Sequence, residues 1–80
     1  MEEKEIILPE IGSRYYYVRV LSDFKTFQAK DEIWGDWLFD RTRYAKGNFF
    51  TTLEEAEKVA GEMNDIMRRM PPQRVSRHEH

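Results

Sequence analysis

The sequence predicts an α+β fold: a small antiparallel sheet (a hairpin or three strands) packed by one long C-terminal helix, with a short connecting helix between them. Three observations carry this. Residues 15–21, Tyr-Tyr-Tyr-Val-Arg-Val-Leu, are aromatic and β-branched, the types that fit a pleated, half-buried surface. Leu53, Ala56, Ala60, Met63, Met67 and Met70 recur at alternating spacings of three and four, which is one face of a helix. Between them, Gly47-Asn48 supplies a helix stop, and Thr52 stands three residues before Glu55 in the pattern of a capping box.

Residues 5–11 read as a short edge strand, since Pro9 has no N–H for a central ladder. Gly12-Ser13 is a turn. The strand that follows puts Tyr16, Val18 and Val20 on one face and Tyr15, Tyr17 and Arg19 on the other. Ser22-Asp23 opens a second turn, and Lys25–Lys30 returns with Phe27 and Ala29 on one side. With aromatics on both faces, one face is expected to meet the long helix and the other to stay partly open. From Asp31 to Phe39, the residues Ile33, Trp34, Trp37 and Leu38 form either a third strand or a loop whose tryptophans close the core.

Asp40 is the expected N-cap of a short helix ending at Gly47, with Tyr44 as its buried anchor. Phe49 and Phe50 lead into the long helix, Thr52 to Met70. Pro71-Pro72 ends it, because neither residue can donate a backbone hydrogen bond. Residues 1–70 thus read as a single α+β domain. Residues 71–80 read as an arginine-containing tail, polar, aperiodic and expected to be disordered.

Part of this pattern resembles a small domain recurrent in bacteriophage and prophage proteins. The likeness runs from about Pro9 to Met63. It rests on Pro9, Gly12, Tyr15-Tyr16-Tyr17-Val18, Trp34, the turn residues Asp40, Arg43 and Tyr44, and the helix start Gly47-Asn48, Phe50, Thr52 and Glu54-Glu55-Ala56-Glu57. The hairpin turn departs from the family, having Ser22-Asp23-Phe24-Lys25 where a glycine is usual. The resemblance implies a fold and a phage or prophage setting. It implies no active site.

Composition narrows the function. Eighty residues without cysteine offer neither a disulfide framework nor a thiolate zinc site. This suits a reducing cytoplasm, here that of a bacterial host cell. The acidic start Met1-Glu2-Glu3-Lys4-Glu5 is not a signal peptide, and no apolar run is long enough to span a membrane. A formal net charge of −2 argues against generic duplex binding. Charge is uneven, however: Asp31, Glu32, Asp36 and Asp40 precede Arg41, Arg43 and Lys46.

Catalytic constellations are missing from the sequence pattern. His78 and His80 stand at the extreme C-terminus, which leaves the folded body without a histidine for a Ser-His-Asp or Cys-His arrangement. Lys46-Gly47 has the wrong order for a phosphate loop. The expectation is no enzyme, no metal and no cofactor. Five Phe, four Tyr and two Trp, by contrast, are many for so small a core. Tyr15, Tyr17, Trp34 and Trp37 are candidates for a surface cluster that continues into Arg41 and Arg43 as one partner-binding edge, since Tyr, Trp and Arg dominate interface hot spots. The rival reading makes both tryptophans core and has the arginines merely neutralise Asp36 and Asp40.

Three functions fit these features: a host-protein binder such as a defence-system inhibitor, a nucleic-acid binder, or a protein that sequesters a nucleotide between aromatics and arginines. The methionine-rich helix face also suggests a homodimer.

Overall fold

The computed structural model describes residues 7–71, and its element order is β1 (Arg14–Val20), β2 (Phe27–Ile33), α1 (Leu38–Ala45) and α2 (Leu53–Arg69). The architecture is α+β with the long helix C-terminal, as the periodicities require. The tail beyond Pro71, with His78 and His80, and the first residues of the expected edge strand lie outside the described residues.

β1 and β2 pair antiparallel, with Tyr15 opposite Glu32, Tyr17 opposite Lys30 and Val18 opposite Ala29. The connecting turn is held by Asp23, whose carboxylate accepts from the backbone N–H of Lys25 (3.0 Å) and Thr26 (2.9 Å) and from the Thr26 hydroxyl. This Asx-type turn does the work of the missing glycine, although Phe24 sits at φ 60°. β2 begins at Phe27, two residues later than the alternation predicts, because Lys25 and Thr26 belong to the turn.

Among the described residues the sheet has two strands. Residues 7–11 are irregular rather than an edge strand, and Trp34 lies just past the end of β2 instead of in a third strand. There the Trp34 N–H donates to Ser13 O (2.8 Å) and its carbonyl accepts from Gly12 (2.7 Å). Gly12 is at φ 98°, a conformation that glycine adopts without steric cost.

Both faces of this narrow sheet carry a core, and the face away from α2 stays partly open, as expected, at Arg19, Gln28 and Lys30. On one face, Val18, Ala56 and Ala60 are buried, with Tyr16, Phe27, Ala29, Phe50, Val59 and Met63 packed around them. The alanines let α2 lie close to the strands. On the other face Tyr15, Tyr17 and Trp34 are buried, with Tyr44 and Phe49 against them. The rings meet at hydrocarbon contact: Tyr15 stacks on Phe49 at 4.9 Å between centroids, and Trp34 meets Tyr15 edge-on at 5.8 Å.

The apolar stripe of α2 is only partly covered. Ala56 and Ala60 are buried, while Leu53, Ile66, Met67 and Met70 stay exposed.

Helix ends follow the sequence signals with two exceptions. The Thr52 hydroxyl caps α2 by accepting from Glu55 N–H at 3.2 Å. Glu55 turns to Thr51 (3.5 Å) instead of completing a reciprocal box. Met70, extended ahead of Pro71, ends the helix. α1 closes with paired bonds from Gly47 N–H to Tyr44 O (3.2 Å) and Asn48 N–H to Arg43 O (2.8 Å), with Gly47 at φ 81°. The larger exception is Asp40, which sits at the third helical position while Trp37 holds the N-cap, so α1 starts three residues earlier than expected.

Candidate functional site

The residues around the start of α1 form the candidate site. Asp36 adopts φ 61°, a left-handed conformation that Asp tolerates better than most residues. Its carboxylate accepts from both Nε (2.6 Å) and Nη2 (3.0 Å) of Arg41. The guanidinium holds the Asp36 carboxyl below its ordinary range, and Asp36 raises Arg41 in return. The pair is solvent-exposed, so it orients the loop more than it stabilises it.

Asp40 is fully buried, and every contact it makes is a donor. It accepts from the backbone N–H of Gly35 (2.9 Å) and Trp37 (3.1 Å), and from the Tyr15 hydroxyl. Burial alone pushes its carboxyl up, but these donors, with Arg43 nearby, outweigh it and leave the group below its ordinary value. Tyr15 responds in the opposite sense: burial first, then the hydrogen bond to Asp40, push its hydroxyl up to about 12 despite Arg43.

The Arg43 guanidinium carbon lies over two aromatic rings, 3.6 Å from the Tyr17 centroid and 4.9 Å from that of Phe39. Its Nη1 donates to the Tyr15 hydroxyl at 2.6 Å and stands 3.8 Å from Glu32 and 3.9 Å from Asp40. Such stacking favours a planar guanidinium over an ammonium.

This frame leaves three large apolar side chains outside. Trp37, Leu38 and Phe39 are 63%, 81% and 47% exposed. Asp40 and Tyr44, four apart, take the inward stripe of α1, which turns Leu38 and Thr42 outward. Leu38, Phe39, Thr42 and Arg43 line an open depression of about 470 Å³. The Trp37 indole lies over Gly35, where an added Cβ would stand 2.6 Å from Cδ1.

The six residues predicted to form a binding edge therefore divide. Trp37 and Arg41 are exposed and Arg43 lies at the boundary. Tyr15, Tyr17 and Trp34 are not on the surface. They form the core beneath the site, because α1, Tyr44 and Phe49 cover the sheet face that carries them. The rival reading is likewise half right: one tryptophan is core and the other is not. Leu38 and Phe39 complete the patch and were missed as site residues. Placing Asp40 and Tyr44 inward would have turned both out.

Among the described residues no group of three or more His, Asp or Glu side chains is placed to hold a metal, and no helix is long and apolar enough to cross a membrane. Comparison with protein-family models, curated proteins and solved structures finds no significant match to this chain.

Proposed function

We propose that the chain is a non-enzymatic binding module of phage or prophage type that engages a host protein in the bacterial cytoplasm, such as a defence factor. The binding part of this reading is supported by one observation: Trp37, Leu38 and Phe39 are contiguous and exposed at the start of a firmly anchored helix. Contiguous apolar surface of this kind marks interaction sites more often than chance exposure does. The helix is held from behind by Tyr15, Asp40 and Arg43, so little ordering is left to be done on binding. The phage setting and host target rest on the resemblance over residues 9–63.

A protein partner fits this surface better than a nucleic acid. Arg41 is already paired with Asp36, and Arg43 stands close to Glu32 and Asp40, so neither offers an uncommitted charge to phosphate. A tagged chain should capture its partner from host lysate, and a Trp37→Ala, Leu38→Ser variant should fold normally but lose that partner. Unchanged capture by the variant would place the surface elsewhere. Capture abolished by modest added salt would favour nucleic acid.

A further inference from the structure

The backbone edges of the sheet are sealed unequally. On β1, Tyr16 exchanges backbone hydrogen bonds with Phe50 (2.9 and 2.8 Å), and the Asn48 side chain bonds both the N–H and the C=O of Val18 (2.7 Å each). On β2, Asn64 does the same for Phe27 (2.7 and 2.9 Å). Each asparagine acts as a one-residue substitute for a neighbouring strand. Beyond Phe27 the seal stops. The outward N–H and C=O groups of Ala29, Asp31 and Ile33, which share the direction of Phe27 by the two-residue period, have no hydrogen-bond partner among the described residues. Such an edge is a template for another strand.

We propose that this edge takes a second copy of the chain, β2 against β2 about a two-fold axis at Asp31, giving one continuous four-stranded sheet. Three features of the strand fit that occupant. Ala29 falls opposite Ile33 of the second copy, and Asp31 opposite Asp31, so each of these outward groups finds its complement. Lys30 falls opposite Glu32 of the second copy, twice by symmetry, pairing opposite charges directly across the join. Ile33, half exposed and facing only Arg14 within its own sheet, lands over Ala29 in a groove of about 430 Å³ that Tyr16 and Leu53 also line. The two Asp31 side chains meet at the axis, and each is already neutralised by its own Arg14.

The interface uses none of the Trp37–Phe39 patch, so it stands or falls separately from the proposed partner surface. Sedimentation equilibrium over a rising concentration series should show a monomer–dimer equilibrium. Lys30→Glu should weaken self-association roughly tenfold, because two attractive cross-strand pairs become repulsive. Adding Glu32→Lys should restore it, and Trp37→Ala should leave it unchanged. Hydrogen exchange gives a readout independent of any variant: the Ala29, Asp31 and Ile33 amides should become protected as concentration rises. A strict monomer throughout the series would overturn the proposal. So would a dimer that ignores Lys30→Glu, a charge swap that fails to rescue, dissociation by Trp37→Ala, or edge amides already protected at high dilution, which would mean that another segment covers the edge.

Discussion

The Tyr15 hydroxyl donates to the buried Asp40 carboxylate while accepting from Arg43, so a single phenol on β1 is tied to α1 at two positions. Removing that oxygen affects both partners. Tyr15→Phe leaves Asp40 with its two backbone donors and Arg43 without its hydroxyl acceptor, and should cost about 1–3 kcal/mol in urea unfolding. Asp40→Ala should cost more. It strips Gly35 and Trp37 of their acceptor and leaves the Tyr15 hydroxyl with only Arg43 as partner.

The same network sets the pH range of stability. The folded-state values of Asp40 and Asp36 are depressed, and the hydrogen bonds from Thr26 and Lys25 bring Asp23 down to about 2. Their contribution is complete above the unfolded carboxyl range near pH 4 and is lost as pH falls through the folded values. Tyr15 has the opposite sign. Its contribution is complete below the unfolded value of about 10 and is lost as pH rises through about 12. Urea midpoints across pH should fall on both sides, and Tyr15→Phe should flatten the alkaline fall and, by removing a donor to Asp40, also reduce the acid one in part.

The edge asparagines should tolerate no isosteric charge. Asn48→Asp removes the donor to Val18 O and sets a carboxylate against a carbonyl, so a loss of about 2 kcal/mol is expected. Asn64→Asp should behave alike at Phe27. Truncation to Ala at either position should instead raise hydrogen exchange at the strand amide that it uncaps, Val18 in one case and Phe27 in the other. A uniform rise across both strands would contradict the local capping role.

Gly35→Ala should displace the Trp37 indole, since the new methyl occupies the space that the ring now holds. Trp34 is buried and Trp37 exposed, so the change should appear in the red-shifted part of the emission, the part that Trp37→Phe removes. Thermal stability should move little, because an exposed side chain has room to swing aside.

Local pattern carried much of the fold. β1 and α2 announce themselves by periods of two and 3.6 residues, and the Gly47 and Pro71 stops by backbone chemistry. The start of α1 was misplaced because a carboxylate can receive backbone N–H groups from the N-cap or from the third position, and Trp37 gives no capping signal. The burial of Tyr15 and Tyr17 was hidden for another reason. Alternation assigns residues to a face but does not say that residues 34, 44 and 49 will cover it. The edge seals were illegible altogether, because Asn48 reaches Val18 across 30 positions and Asn64 reaches Phe27 across 37. At the candidate site, Trp37, Arg41 and Arg43 were readable by residue type. Leu38 and Phe39 depended on the rotation of a helix whose start had been misjudged.

β1 lends alternate side chains to two separate cores, Tyr15 and Tyr17 to one and Val18 and Tyr16 to the other. Neither half of the molecule can therefore melt by itself, because losing either core frees the strand that forms the wall of the other. Calorimetry should see one sharp event, and fragments cut between Gly47 and Thr52 should stay unfolded alone and regain structure only when mixed.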